Sequence, residues 1–245
     1  MRLTLRIAMI VAGLIVCLPL HYLWKLFGRP SPWPRVFLGW VGRSAGMRVR
    51  VEGRPLQTHV LFLANHLSWL DIMLMAGASG TAFVSKDEVA TWPVIGWLAR
   101  LNNTIFIART QRGAVRDQAD TLRRALSAGQ PVALFPEGTT EGGADVLPFR
   151  ASLLASLFPP LPEIRVQPVA LDYGPAADDI AWLGQEPALT NAKRVLSRRG
   201  TSPVTLRFLT PLDPAEFGDR KLLAEAARGE IVRALGASEA GGDRL

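Results

Sequence analysis

The sequence predicts an α/β fold: a layered, mostly parallel sheet flanked by helices, with an N-terminal membrane-associated helical segment. Two patterns carry that expectation. From about residue 47 to 235, short apolar runs alternate with stretches of helical period, the order that lays helices over the faces of a parallel sheet. Ahead of them, Ile7 to Trp24 runs for 18 residues without a formal charge, close to the roughly 20 that cross a bilayer. The 245 residues are 49% hydrophobic, enough to bury a sizeable core. One cysteine, Cys17, excludes a disulfide framework, and three histidines leave little material for a metal site.

The apolar run follows Arg2 and Arg6, so a cleaved signal peptide, a helix in the membrane and a buried soluble helix compete. Pro19-Leu20-His21-Tyr22 offers no small-residue cleavage site. Trp24, Trp33 and Trp40 follow among basic residues, as an interfacial belt does. A helix that spans or dips into the bilayer is therefore favoured, with residues 1–28 as the anchor. Pro30, Pro32 and Pro34 then punctuate a linker. Arg35 to Ala45 reads as an interfacial helix, which makes 29–46 a linker-and-helix segment.

In the domain at 47–235, strands are expected at Arg48–Glu52, His59–Leu63, Thr81–Val84, Thr104–Ile107, Val132–Phe135, Val166–Leu171 and Val204–Leu209. Helices are expected at Ile72–Gly77, Pro93–Leu101, Arg112–Ala128 and Asp219–Leu235, with Gly129 stopping the third. Residues 236–245 are small and polar and are expected to fray.

Charge is unevenly placed. Residues 1–50 hold eight basic side chains and no acid, while the remainder holds 20 basic against 21 acidic, so the net +7 belongs to the membrane-facing end. A nucleic-acid binder carries its basic stripe on the folded domain. Here the excess flanks the apolar run and points to anionic lipid instead.

Asn65-His66-Leu67-Ser68-Trp69-Leu70-Asp71 lies where a core strand hands over to a helix. An imidazole there can take a proton from a hydroxyl near neutral pH, and a carboxylate behind it would fix its tautomer. His66 and Asp71 can meet if His66 precedes the helix and Asp71 lies in its first turn. The competing assignment is structural: Ser68-Trp69-Leu70-Asp71 is a capping-box pattern, and His66 can be a hydrogen-bonded core residue. Phe135-Pro136-Glu137-Gly138-Thr139-Thr140 follows another strand and can turn amides and hydroxyls toward an anion, with Glu137 holding the loop or accepting from a substrate hydroxyl. Arg109 and Lys86 stand at strand ends, as phosphate donors or solvated surface cations. Gly42-Arg43-Ser44-Ala45-Gly46 matches G-x-S-x-G, but a nucleophile elbow needs a strand before and a helix after, and here that order is reversed.

These blocks together resemble the glycerolipid acyltransferase family, in particular its bacterial 1-acyl-sn-glycerol-3-phosphate acyltransferases. Asn65, His66 and Asp71 match the N-H-x-x-x-x-D block, Asn103 to Arg109 resembles the second, Phe135 to Thr139 matches F-P-E-G-T, and Val166-Gln167-Pro168-Val169 is similar to the fourth, all in order. The resemblance implies that His66, oriented by Asp71, deprotonates the sn-2 hydroxyl of lysophosphatidic acid, which attacks the thioester of acyl-CoA or acyl carrier protein. It implies substrate contacts from Asn65, Lys86, Arg109, Glu137, Gly138 and Thr139, and no metal or redox cofactor. It places 47–235 as an acyltransferase domain on the cytoplasmic face of the inner membrane, with lysophospholipid and membrane lipid as partners and no nucleic acid. Ala108 and Thr140 depart from the acid and base common at those positions, which leaves lyso-ornithine lipid open as acceptor. A non-catalytic phospholipid-binding protein is the rival from another class.

Overall fold

The computed structural model describes residues 1–107, 114–140, 142, 145–184 and 186–242. Its helices are α1 (Arg2–Lys25), α2 (Trp33–Ser44), α3 (Leu70–Ser79), α4 (Asp87–Ala90), α5 (Ile95–Leu101), α6 (Ala114–Ser127), α7 (Ala177–Ile180), α8 (Ala188–Ser197) and α9 (Arg220–Gly242). Seven strands run β1 (Met47–Glu52), β2 (Val60–Ala64), β3 (Ala82–Lys86), β4 (Ile105–Ile107), β5 (Val132–Leu134), β6 (Arg165–Asp172) and β7 (Ser202–Phe208). They form one sheet in the order β1-β7-β6-β2-β5-β3-β4. Every neighbouring pair is parallel except β6–β7, so the expected class holds.

Alternation along β2 builds the two layers. Phe62 and Ala64 face one side, where Leu70, Leu74 and Met75 of α3 and Val195 of α8 cover them. Leu61 and Leu63 face the other, under Leu122 and Leu126 of α6 and Leu223 and Ala227 of α9. A strand apolar on both faces is what a central parallel strand requires. Because β2, β5, β3 and β4 are mutually parallel, their carboxyl ends share one sheet edge, and with it the segments after Ala64, Leu134 and Lys86.

Some boundaries differ from the sequence reading. His59 has φ +53 and stands just before β2 rather than in it. The last helix does not stop at Leu235 but continues to Gly242, although three of its last seven residues are glycine. Residues 243–245 lie outside those described, as do Arg112 and Gly113 at the expected start of α6. Helices α4, α7 and α8 had no expectation.

The first two helices form a hairpin. Cys17 of α1 packs with Phe37 and Val41 of α2, and Ile10 and Leu14 lie against them. Trp40 Nε1 donates to the Met9 carbonyl at 2.7 Å. The hairpin is also fastened to the domain. Arg6 donates to the carbonyls of Val195 (3.2 Å) and Gly200 (2.8 Å). Arg35 donates to those of Gly77 (3.2 Å) and Ala78 (2.5 Å) at the end of α3. There α2 crosses α3 at Gly39 and Gly77; a β-carbon on Gly77 would sit 2.6 Å from the Gly39 Cα. The outward side of α1 leaves Leu5, Val11, Ile15, Val16 and Leu23 exposed.

Candidate active site

The turn between β2 and α3 wraps around one carboxylate. Asp71 is fully buried in the first turn of α3. Its Oδ2 accepts from His66 Nδ1 at 2.8 Å and from the backbone N–H groups of Leu67 (2.7 Å) and Ser68 (2.9 Å). Its Oδ1 accepts from the Tyr173 hydroxyl at 2.5 Å. Asp71 ties down the turn before the helix and stands behind the imidazole.

With Nδ1 committed to Asp71, Nε2 is the ring nitrogen left to act on a reactant. Among the described residues no hydrogen bond engages it, and the His66 side chain is 17% exposed. The ring lies flat on Phe135, with centroids 4.0 Å apart and 13° between planes. Phe83 lies nearly parallel beyond Phe135. The imidazole is thus held by a carboxylate at one nitrogen and a ring on one face, with the other nitrogen uncommitted among the described residues. Such an arrangement suits general-base chemistry.

Glu137 is buried, and its two oxygens accept from different loops: Oε1 from His66 N (2.8 Å) and Oε2 from Leu147 N (2.9 Å). Burial pushes its carboxyl above the usual range, although the N–H bonds from Leu147 and His66 pull the other way. Of the two roles weighed for Glu137, these contacts supply the first, holding the loop. Gly138 has φ +75, and a β-carbon there would stand 3.2 Å from Cζ and Nη1 of Arg150. Glycine lets the loop turn in the left-handed region and lets the guanidinium lie against it. The backbone agrees, since Arg150 N donates to Pro136 O at 2.9 Å. Thr139 is exposed at the tip, and the Thr140 hydroxyl donates to the Trp182 carbonyl.

The remaining expected residues divide. Asn65 is buried, with Nδ2 donating to Leu171 O at 3.0 Å and Oδ1 accepting from Leu171 N at 2.8 Å. Both ends of its amide are committed to β6, so its contacts prolong the β2–β6 ladder up to the turn. Lys86 is exposed at the carboxyl end of β3, on the shared sheet edge. Arg109 and Ala108 lie outside the described residues; β4 ends at Ile107 on that same edge. Ser44 is a buried residue of α2 with β1 following, the reverse of a nucleophile elbow.

Two residues at the site carried no sequence expectation. Tyr173 follows the end of β6 and is buried against Asp71; burial, and then the neighbouring carboxylate, hold its hydroxyl well above the usual phenol range. Arg150 lies 13 residues beyond Glu137. The signal that finds both is spatial: Tyr173 ends the strand beside β2, and Arg150 returns to the loop that ends β5.

A family model described as Acyltransferase matches residues 48–172, about half of the chain and all of this site but Tyr173. The chain belongs to the acyltransferase family. A lyso-ornithine lipid O-acyltransferase of Rhodobacter capsulatus is 37% identical, over 96% of this chain and 90% of its own length. A 1-acyl-sn-glycerol-3-phosphate acyltransferase of Neisseria gonorrhoeae is 32% identical, over 81% of this chain and 79% of its own. The crystal structure of the 1-acyl-sn-glycerophosphate acyltransferase PlsC of Thermotoga maritima superposes with a TM-score of 0.67 at 23% identity, covering 97% of this chain and 95% of that one. That last likeness shows the fold. This chain is an acyltransferase of lysophospholipid type, and the two curated relatives named here differ in acceptor.

Proposed function

We propose that this acyltransferase moves a fatty acyl group from a thioester, acyl-CoA or acyl carrier protein, to the sn-2 hydroxyl of lysophosphatidic acid, giving phosphatidic acid. The observation that carries the reading is the 2.8 Å bond from His66 Nδ1 to a buried carboxylate. His66 Nε2 takes the hydroxyl proton as the oxygen attacks the thioester carbon. The C–S bond then breaks, and the proton returns from the imidazolium to the departing thiolate. Asp71 stabilises the imidazolium while it lasts. Arg150, Lys86, Arg109 and the Gly138–Thr139 turn are the groups proposed to receive the headgroup, with Arg150 supplying charge where Thr140 supplies none. Asn65 and Glu137 act on the substrate through the turns they hold.

The fastening of α1 to α2 and α8, and of α2 to α3, supports a hairpin lying in one leaflet over a free-standing span. Its 24 residues measure about 36 Å at 1.5 Å per residue, long enough to cross, but Arg6 ties its first turns to α8. Acyl donors are cytosolic, so the domain is assigned to the cytoplasmic face of the inner membrane.

Lyso-ornithine lipid is the second reading, favoured by the name of the Rhodobacter relative and by Thr140 where a base is common in the family. An acceptor screen with oleoyl-CoA decides. Turnover of lysophosphatidate well above that of lyso-ornithine lipid supports the first reading, and the opposite ranking replaces it with the second.

A further inference from the structure

The hairpin holds a second imidazole that acyl transfer does not use. His21 of α1 is 4% exposed, and its Nδ1 lies 2.9 Å from the Ser31 hydroxyl oxygen. That oxygen also accepts the Trp33 backbone N–H at 3.4 Å. When its own proton goes to His21 Nδ1, the ring proton is on Nε2. Among the described residues His21 Nε2 is buried without a hydrogen-bond partner, and so is the indole Nε1 of Trp33. Both side chains line one cleft between α1, α2 and α5, whose other walls include Leu14, Leu18, Phe37 and Leu98.

Buried polar nitrogens left without a partner are costly, and in the tautomer with the proton on His21 Nε2 both of these are donors. An indole N–H can only donate. Water is a poor answer, because a cleft walled by leucine and phenylalanine offers it few further partners. A group with an oxygen acceptor at its head and a hydrocarbon body would answer both the nitrogens and the apolar walls.

We propose that this cleft is a lipid site, in which the carbonyl oxygen of an acyl chain accepts from Trp33 Nε1 and His21 Nε2 while the chain lies against Leu14, Leu18, Phe37 and Leu98. The carbonyl can belong to a resident bilayer lipid or to the enzyme's own lysolipid or product. The site rests on the membrane reading of α1, and not on the choice of acceptor at His66.

The test uses the full-length enzyme, stripped of lipid in detergent and titrated with a diester phosphatidylglycerol or its diether analogue, which lacks both carbonyls. Native mass spectrometry counts the lipid retained. The expected result is about tenfold stronger retention of the diester, the ratio that one net hydrogen bond supplies. Trp33→Phe, which removes only the N–H, and His21→Leu should bring the diester down to the diether level. Equal retention of the two lipids by the wild type, or undiminished preference in both variants, overturns the proposal. Vesicle flotation of the same proteins reads the membrane assignment separately, since variants that float like the wild type have lost the carbonyl contact and not the bilayer. Adding lysophosphatidate identifies the source. Displacement of the diester assigns the cleft to the enzyme's own lipids, and co-occupancy assigns it to a bilayer lipid; both uphold the site.

Discussion

His66 and His21 each commit Nδ1 to a neighbour, yet the neighbours differ in charge, and that difference separates the two regions. At the sheet edge the partner is a carboxylate that also gathers two backbone amides and a tyrosine hydroxyl. A proton arriving on that ring is stabilised by the charge behind it. In the hairpin the partner is a hydroxyl inside apolar walls, and nothing there rewards a second proton. On the two proposals above, the same side chain serves as a base at one end of the molecule and as a donor at the other. Residue type alone does not assign chemistry. The partner at the far nitrogen does.

The largest expected effects test the charged side of this contrast. His66→Ala should lower kcat by about 10²–10⁴ with little change in Tm, as removal of a general base does; near-normal turnover would remove the imidazole from the reaction. Asp71→Asn keeps the shape and discards the charge, so it should cost rate on a similar scale, and it should also lower Tm because one acceptor must now serve the Leu67 and Ser68 amides. A loss of Tm without loss of rate would leave Asp71 with the structural role alone.

A middle-sized effect is expected at Arg150. Arg150→Ala should raise the KM for lysophosphatidate by roughly tenfold, the scale of a charge-assisted bond, and lower kcat less. Unchanged kinetics would take the guanidinium out of the headgroup site. Smaller still is Tyr173→Phe, which removes one hydrogen bond to Asp71. About 1 kcal/mol of stability and a few-fold in kcat should go, with kcat falling more than KM rises. A rate equal to the wild type would mean that the backbone amides orient Asp71 unaided.

The least effect sharpens the same point through pH. Glu137 is held above the ordinary carboxylate range by burial. A raised pKa adds stability at acid pH, and that contribution fades as pH climbs through the raised value. The Tm of the wild type minus that of Glu137→Gln should therefore fall with rising pH just above the usual carboxylate range. A flat difference would show that burial does not hold the proton there.

Seven strands, the anchor helix and the His66–Asp71 pair were legible because each is written in local pattern: apolar runs bounded by breakers, an uncharged stretch between arginines, and two polar residues at a strand end. Helix α8 was not, since its buried residues Asn191, Val195 and Leu196 lie in a largely polar segment and only the tertiary fold covers them. Tyr173 and Arg150 were hidden for a different reason. Nothing near them in the chain marks them, and their place depends on β6 lying beside β2 and on the loop after β5 folding back. Asn65 was legible as a motif residue but not as a ladder residue, because its partner Leu171 is 106 positions away.

The grip of Arg6 on the carbonyls of Val195 and Gly200, with that of Arg35 on the end of α3, has a mechanical consequence. The catalytic half does not swing on a tether; it is bolted to the hairpin at two separated points. Its height and tilt above the lipid surface are then constants of the fold, and on the proposed mechanism a hydroxyl carried at one particular depth in the leaflet would slide to the imidazole sideways, without being lifted into water.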